Sequence, residues 1–238
     1  MVLLHPWFGC CQFWHRTFDH FIDRTRIAVD FYSLADGDWS RWAGPVQMAE
    51  SVLSVMDHEG LEYVDLVGNS VGGIVAQVVA SKYPQRVRKL VLVGTGAHTT
   101  GVRSAFVDTV DHWIAAARRN ETPSRSFIEA TVSMLVSSDL DAQSLAVFAD
   151  MLAKTEPMFI ATVLTEARRL DLSDELGKIR ASTLVIRGTE DRVRTRDHAF
   201  QLANAVRDAR WYEMQAAGHA PMLDSPDEFE RLLAEHLS

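Results

Sequence analysis

Cysteine is scarce in this chain, and its arrangement excludes the common structural uses of the residue. The 238 residues include only Cys10 and Cys11, which are adjacent. Adjacent cysteines rarely form a structural disulfide, because the bridge geometry fits a single peptide unit poorly, and they do not have the spacing of a zinc site. We therefore expect reduced thiols, no bound metal and a cytoplasmic protein.

Long apolar runs and blocks of positive charge are also absent from the sequence. No run reaches the roughly 18 residues that a membrane-spanning helix requires, and the apolar stretch at residues 1–6 is too short for a signal peptide. The net charge is −8, and the arginines are scattered. Because phosphate binding needs a clustered positive surface, we expect neither a membrane nor a nucleic acid as a partner. A small molecule is the expected ligand, and the sequence predicts no oligomeric state.

Short apolar segments alternate with helical patterns over most of the chain, which at 238 residues is long enough for one large domain. The segments predicted as strands are residues 2–5, 26–30, 63–67, 90–93, 183–187 and 210–214. Near-continuous apolar strands that alternate with amphipathic helices are typical of a parallel sheet covered on both faces. The sequence therefore predicts an α/β fold with a mostly parallel, six-stranded sheet.

The alternation is interrupted at residues 97–178, where the pattern predicts helices and no strand. We predict a core formed by residues 1–96 and 179–238, with the segment 97–178 as a helical insertion. Its aromatic residues suggest a pocket for a mostly apolar ligand; they are Phe106, Trp113, Phe127, Phe148 and Phe159. The alternative is that these side chains only pack the insertion onto the core.

A glycine-rich turn lies between the third predicted strand and the helical stretch that follows it. Residues 68–73 read Gly-Asn-Ser-Val-Gly-Gly, with Ser70 at the apex. A serine on such a sharp turn stands alone at the carboxyl edge of the sheet, and its backbone is expected in a strained conformation with positive φ. Ser70 is therefore the candidate nucleophile. The alternative is a glycine-rich turn with a helix-capping serine.

Two further candidate residues follow later strands. Asp191 lies in the loop after the fifth predicted strand, and His219 lies in the loop after the sixth. A serine hydroxyl needs a base to remove its proton and a carboxylate to orient that base. The order Ser70, Asp191, His219 at one sheet edge therefore predicts a catalytic triad. Glu190 is the rival acid, and a turn-forming role is the alternative for Asp191.

The negative oxygen formed by nucleophilic attack needs preorganised hydrogen-bond donors. One predicted donor is the backbone N–H of Val71, which follows Ser70 in the chain. The second is expected in the loop after the first strand. Since Pro6 has no N–H, the backbone N–H of Trp7 is the natural candidate for this oxyanion hole.

Three more residues are candidates for the pocket by their place in the chain. Phe8 follows Trp7, Asn69 precedes the serine, and His98 begins the helical insertion. His198, in contrast, falls in a helical stretch and is expected at the surface.

These motifs resemble those of the α/β-hydrolase superfamily, and the resemblance runs over the whole chain. It rests on the triad order, the turn at 68–73, the Gly-x-x-Asp loop at 188–191 and the Gly-His-Ala-Pro sequence at 218–221. All of these are similar to features of small single-domain esterases. The resemblance implies a cofactor-free hydrolase in which residues 97–178 form a helical lid.

Other members of the superfamily offer a second comparison. Gly-Asn-Ser-x-Gly-Gly also resembles the meta-cleavage-product hydrolases, which break C–C bonds, and enol-lactonases have comparable short lids.

Two features of the sequence depart from the usual pattern of the superfamily. Pro6 stands where the oxyanion turn usually has glycine, which leaves the donor role of Trp7 open. The usual N-terminal hairpin is missing, so either the sheet is a minimal six-stranded one or the assigned start lies too late.

The sequence leaves three functions open. We expect hydrolysis of a small, mostly apolar carboxylic ester, lactone or thioester through an acyl-enzyme. The alternative is a C–C bond hydrolase, which needs a cation to hold the substrate carboxylate, with Arg125 and Arg168 as candidates. The third function is binding of a small molecule or a non-hydrolytic reaction, because the fold does not fix the function.

Overall fold

A six-stranded parallel sheet forms the centre of the protein, which the computed structural model describes over residues 1–36, 38–138 and 140–238. The strand order is β2-β1-β3-β4-β5-β6, and each strand runs parallel to its neighbours. The predicted α/β fold with a mostly parallel six-stranded sheet is therefore confirmed. The strands are β1 (Val2–Leu4), β2 (Ile27–Val29), β3 (Val64–Asn69), β4 (Val87–Val93), β5 (Ser182–Gly188) and β6 (Ala209–Met214).

Helices connect the strands and cover the sheet. The α-helices are α1 (His15–His20), α2 (Pro45–His58), α3 (Val71–Lys82), α4 (Ser104–Arg118), α5 (Arg125–Ser133), α6 (Ala142–Lys154), α7 (Pro157–Arg169), α8 (Arg196–Ala205), α9 (Pro221–Asp224) and α10 (Pro226–Leu237). Helices α2, α7, α9 and α10 begin at proline, which suits the first helical position because the N–H there has no partner. Within the described ranges, no helix has both the length and the apolar character needed to cross a membrane.

The central strands are buried along most of their length, which explains their apolar sequences. Every residue of β3 is buried, and so are residues 90–93 of β4 and 183–188 of β5. Parallel strands covered by helices on both faces have no solvent-facing side, so their sequences show little alternation. The sheet is thus a rigid support for the loops that follow its strands.

The chain between β4 and β5 contains helices α4 to α7, all within the predicted insertion at 97–178. Helix α4 packs against α7, and α5 packs against α6. Aromatic side chains connect these helices with the first loops of the chain. The ring centroids of Trp7 and Phe159 are 5.5 Å apart, and those of Phe13 and Phe148 are 4.3 Å apart. The assignment of this segment as a lid stays a prediction.

Candidate active site

Ser70 occupies a strained turn between β3 and α3. Its φ is 56° and its ψ is −116°, in the region that non-glycine residues rarely adopt. The neighbouring glycines allow the close packing that this turn requires. A Cβ on Gly68 would collide with the backbone of Gly72, and a Cβ on Gly72 would collide with the carbonyl oxygen of Leu4. The predicted positive φ at Ser70 is therefore observed, on a turn that β1, β3 and α3 hold in place.

Hydrogen bonds from β4 and the loop after it fix the backbone of this turn. The N–H of Ser70 donates to the carbonyl oxygen of Val93 at 2.9 Å. The Oγ1 hydroxyl of Thr95 donates to the carbonyl oxygen of Ser70 at 2.8 Å. The N–H and the carbonyl oxygen of Ser70 are thus both hydrogen-bonded, as expected where backbone strain persists at a functional site.

His219 and Asp191 form a buried pair in the loops after β6 and β5. Nδ1 of His219 lies 2.9 Å from Oδ2 of Asp191, and neither side chain is exposed to solvent. Oδ1 of Asp191 accepts hydrogen bonds from the backbone N–H groups of Val193 and Arg194, at 2.7 and 2.8 Å. Burial by itself raises the pKa of the Asp191 carboxyl, but the charge and hydrogen bond of His219, together with these amides, hold that pKa below its ordinary value. Asp191 is therefore a carboxylate that fixes the His219 ring.

The amide of Asn69 connects the serine turn with the loop that carries His219. Its Nδ2 donates to the carbonyl oxygen of Val93 at 3.0 Å and to that of His219 at 2.9 Å. Gly94, with φ of 51°, leaves room for this contact, because a Cβ there would lie 2.8 Å from the His219 carbonyl oxygen. Nε2 of His219 is buried and has no hydrogen-bond partner among the described residues. The loops after β3, β4, β5 and β6 therefore meet at one edge of the sheet, with one imidazole nitrogen free to accept a proton.

A cavity of about 310 Å³ opens beside Ser70. Its wall includes Trp7, Phe8, Ser70, Val71 and Phe106, all of which were predicted for the site. Arg168, a candidate cation from the sequence, also lines it. Residues that the sequence did not indicate complete the wall: Ile74, Thr99, Val102, Val107, Val110, Leu135, Leu164, Ala167, Val193 and Arg194. Over the described residues, no group of three His, Cys, Asp or Glu side chains is arranged to hold a metal ion.

The loop after β1 is held rigidly next to this cavity by His5. The His5 ring is buried, and burial lowers its pKa. Its Nδ1 lies 2.8 Å from the carbonyl oxygen of Pro6, while its Nε2 accepts the backbone N–H of Phe31 at 3.0 Å. Nδ1–H therefore donates to Pro6. Both ring nitrogens are engaged, which fixes the peptide that precedes Trp7.

A sequence profile of the alpha/beta hydrolase family matches residues 1–232. The chain belongs to the alpha/beta hydrolase family. A 2-hydroxy-6-oxo-6-phenylhexa-2,4-dienoate hydrolase from Comamonas testosteroni is 29% identical over 195 residues, which cover 79% of this chain and 68% of that protein.

Solved structures of other alpha/beta hydrolases have the same fold. An enol-lactonase from Burkholderia xenovorans matches with a TM-score of 0.83 and 21% identity, over 99% of this chain and 90% of that chain. An esterase from Exiguobacterium antarcticum matches with a TM-score of 0.84 and 21% identity, over 98% and 90% of the two chains. At these identities the likeness concerns the fold alone.

Several residues predicted for the pocket of this hydrolase do not lie on the cavity wall in the described structure. They are Asn69, His98, Trp113, Phe127, Phe148 and Phe159. Asn69 is engaged in the backbone contacts given above. Trp113 stacks against the cavity residue Phe8, with ring centroids 5.6 Å apart, and the ring centroids of Phe127 and His112 are 4.0 Å apart. Phe148 and Phe159 likewise pack against other aromatic rings, those of Phe13 and Trp7. A pocket role for these six residues stays a prediction.

His198 and Arg194 are the residues whose environment differs most from the expected one. His198 is buried, not exposed; its Nδ1 lies 2.9 Å from Oγ1 of Thr195 and its Nε2 lies 3.0 Å from the carbonyl oxygen of Thr100. Arg194 is also buried, although arginine is usually exposed. The only sequence signal for Arg194 was its place in the same loop as Asp191.

Proposed function

We propose that this protein is a serine hydrolase in which Ser70, His219 and Asp191 form the catalytic triad. The observation that carries the proposal is the buried 2.9 Å contact between His219 and Asp191, at the sheet edge that also holds the strained turn of Ser70. Such a pair keeps the proton on Nδ1 and leaves Nε2 as a base. Nε2 of His219 makes no hydrogen bond to Ser70 or to another described residue, so the contact between Ser70 and His219 is part of the proposal.

The reaction begins when Nε2 of His219 removes the proton of the Ser70 hydroxyl as Oγ attacks a carbonyl carbon. Asp191 stabilises the imidazolium that forms. The backbone N–H groups of Val71 and Trp7 are proposed to hold the negative oxygen, because both residues line the cavity beside Ser70. Val71 is also the first residue of α3, where the helix dipole favours negative charge. His219 then protonates the leaving group, and water hydrolyses the acyl-enzyme.

The cavity supports a small, mostly apolar carboxylic ester, lactone or thioester as the substrate. Its volume of about 310 Å³ is at the lower end of the range for small-molecule sites. Most of its wall is aliphatic or aromatic, and α4 and α7 supply much of that wall. We propose that helices α4 to α7 act as the lid of the site.

A reducing, cytoplasmic location stays a prediction, in keeping with Cys10 and Cys11 as free thiols.

Hydrolysis of a C–C bond is the second candidate. It is supported by the 29% identity to a 2-hydroxy-6-oxo-6-phenylhexa-2,4-dienoate hydrolase over 79% of this chain. Both reactions use the same proposed triad and differ in the bond that is broken. Efficient hydrolysis of a vinylogous diketone acid, together with poor activity on simple esters, would favour this candidate over the ester hydrolase.

A fluorophosphonate probe tests the proposal without knowledge of the substrate. The probe is expected to modify Ser70, as located by mass spectrometry of peptides, and His219→Ala should abolish the modification. His58→Ala is the matched control, because His58 is an exposed histidine at the end of α2. Labelling at another residue, or equal labelling of the parent and His219→Ala, would refute the triad. A panel of esters with increasing acyl length and one ring-fission product then separates the two candidate reactions.

A further inference from the structure

Arg194 is a buried cation on the wall of the candidate active site. It lines the same cavity as Ser70 and Trp7, yet only 5% of its surface is exposed. One nitrogen, Nη1, donates to the carbonyl oxygen of His98 at 2.6 Å. Nε is buried and has no hydrogen-bond partner among the described residues. An arginine in this environment needs a physical explanation, since burying a charge without a partner is costly.

No carboxylate in the described part of the chain lies within ion-pair distance of the Arg194 guanidinium. The charge of Asp191 acts on it, but both oxygens of that carboxylate are occupied by His219 and by two backbone amides. Burial lowers the pKa of Arg194 to about 10, an effect that the charge of Asp191 opposes. The guanidinium therefore keeps its positive charge at neutral pH.

The two arginines that the sequence suggested for anion binding are already neutralised. Arg168 lines the cavity, but its Nη1 lies 2.6 Å from Oδ1 of Asp111. Arg125 is paired with Glu129 at 2.7 Å and with Asp150, and it is partly exposed. Arg194 is thus the cavity cation that lacks an acidic partner in the described residues.

We propose that Arg194 determines the specificity of the site by binding a carboxylate group of the substrate. This inference rests on the proposed hydrolase function and adds a substrate class to it. Nε and Nη2 form one edge of the planar guanidinium. Nε is without a partner in the described residues, and the hydrogen bond to the His98 carbonyl oxygen comes from Nη1. A carboxylate matches such an edge through two parallel charge-assisted hydrogen bonds.

The rest of the wall limits the remainder of the substrate. Most of the other side chains on the wall are aliphatic, such as Val102, Val107 and Leu164. The substrate class is therefore a small molecule with an apolar group and one carboxylate, in addition to the bond that is cleaved. A neutral analogue of the same shape leaves the guanidinium unpaired, and sites of this kind discriminate strongly against such analogues.

Binding of a matched pair of ligands tests this inference without any turnover. The Ser70→Ala protein is titrated by calorimetry with 4-phenylbutanoate and with 4-phenylbutanamide, which differ in charge but hardly in shape. We expect the carboxylate to bind at least about tenfold more tightly, and Arg194→Gln to remove this difference. Arg192→Gln is the matched control, because Arg192 loses the same charge in the same loop but is exposed and does not line this cavity. It should retain the difference.

Arg194→Gln also removes the hydrogen bond to the His98 carbonyl oxygen, so the folding of this variant is checked by thermal unfolding. Two further variants, Arg194→Lys and Arg168→Gln, complete the test. Arg194→Lys keeps the charge but offers a single point contact, and its preference for the carboxylate should fall by about three- to tenfold. Arg168→Gln tests the other cavity arginine and should keep the preference.

Four results would overturn the inference: no detectable binding of 4-phenylbutanoate, equal binding of the two ligands, an unchanged preference in Arg194→Gln or Arg194→Lys, or its loss in Arg168→Gln. Failure of fluorophosphonate labelling would instead reject the proposed hydrolase, while leaving the result on ligand binding intact.

Discussion

Replacing Asp191 with asparagine removes the charge of the side chain and keeps its shape. Three hydrogen bonds of 2.7 to 2.9 Å reach the two oxygens of Asp191 in the parent protein. Asparagine offers one oxygen and one NH₂ group. If the oxygen accepts from the amides of Val193 and Arg194, the NH₂ group faces Nδ1 of His219. Nδ1 must then accept a hydrogen bond, which moves the proton to Nε2 and removes the base.

The expected result is a fall of about 10³- to 10⁴-fold in the rate at which a fluorophosphonate labels Ser70 in Asp191→Asn, as for other triads. The same variant should lose about 1–3 kcal/mol in its free energy of unfolding by urea, because a charge-assisted bond to a buried group is replaced. Glu190→Gln is the control: Glu190 precedes Asp191 but is exposed, and its labelling rate should stay within about threefold of the parent. A labelling rate in Asp191→Asn within about tenfold of the parent would refute the assigned role of this carboxylate.

Three further predictions concern the support of the site. Gly72→Ala should destabilise the protein by about 2–4 kcal/mol, because the new Cβ collides with the Leu4 carbonyl oxygen. Trp113→Ala should lower stability by about 3–5 kcal/mol, because Trp113 is 1% exposed and stacks on Phe8. Burial, reinforced by the charge of Arg194, lowers the pKa of His198 from 6.5 to about 4. Between about pH 6.5 and pH 4, the folded protein therefore binds fewer protons than the unfolded chain. The free energy of unfolding should fall as the pH is lowered through this range. His198→Gln should make that fall smaller.

Urea unfolding measures all three effects, with controls that the chain itself provides. Gly177→Ala should change stability by less than about 0.5 kcal/mol, because nothing lies within 4 Å of a Cβ at that position. Phe200→Ala should cost less than about 1 kcal/mol, because Phe200 is 52% exposed. For the pH dependence, His58→Ala is the control with an exposed histidine. An unaltered pH profile in His198→Gln would show that this histidine is not the group responsible, and small losses in Gly72→Ala or Trp113→Ala would contradict the packing described above.

The sheet and the serine turn were predictable because their signals are local. Apolar runs indicate buried parallel strands wherever they occur, and the glycines of residues 68–73 indicate the close packing that Ser70 requires. Asp191 and His219 could be selected because each follows a strand, and parallel strands bring such loops to one edge. Their catalytic roles stay a prediction, although the structure brings the two side chains within 2.9 Å of each other.

The pocket was less predictable because it depends on how helices are rotated against their neighbours. Phe106 and Trp113 lie on the same helix, yet Phe106 lines the cavity and Trp113 stacks on Phe8 without lining it. The sequence shows both aromatic residues, but it does not show how the helix is rotated about its axis, which decides which of the two side chains faces the cavity. Arg194 was missed for a similar reason: an arginine in a loop is expected in solvent, and only the surrounding fold buries it.

A crystal structure of the protein after reaction with a fluorophosphonate tests the central claim most directly, because the tetrahedral phosphorus is an analogue of the transition state. We predict phosphorus bonded to Oγ of Ser70, its oxygen within about 3.1 Å of the backbone nitrogens of Val71 and Trp7, and Nε2 of His219 within about 3.2 Å of Ser70 Oγ. An adduct on another residue, or on Ser70 with its oxygen directed away from both amides and His219 out of reach, would contradict the proposed mechanism.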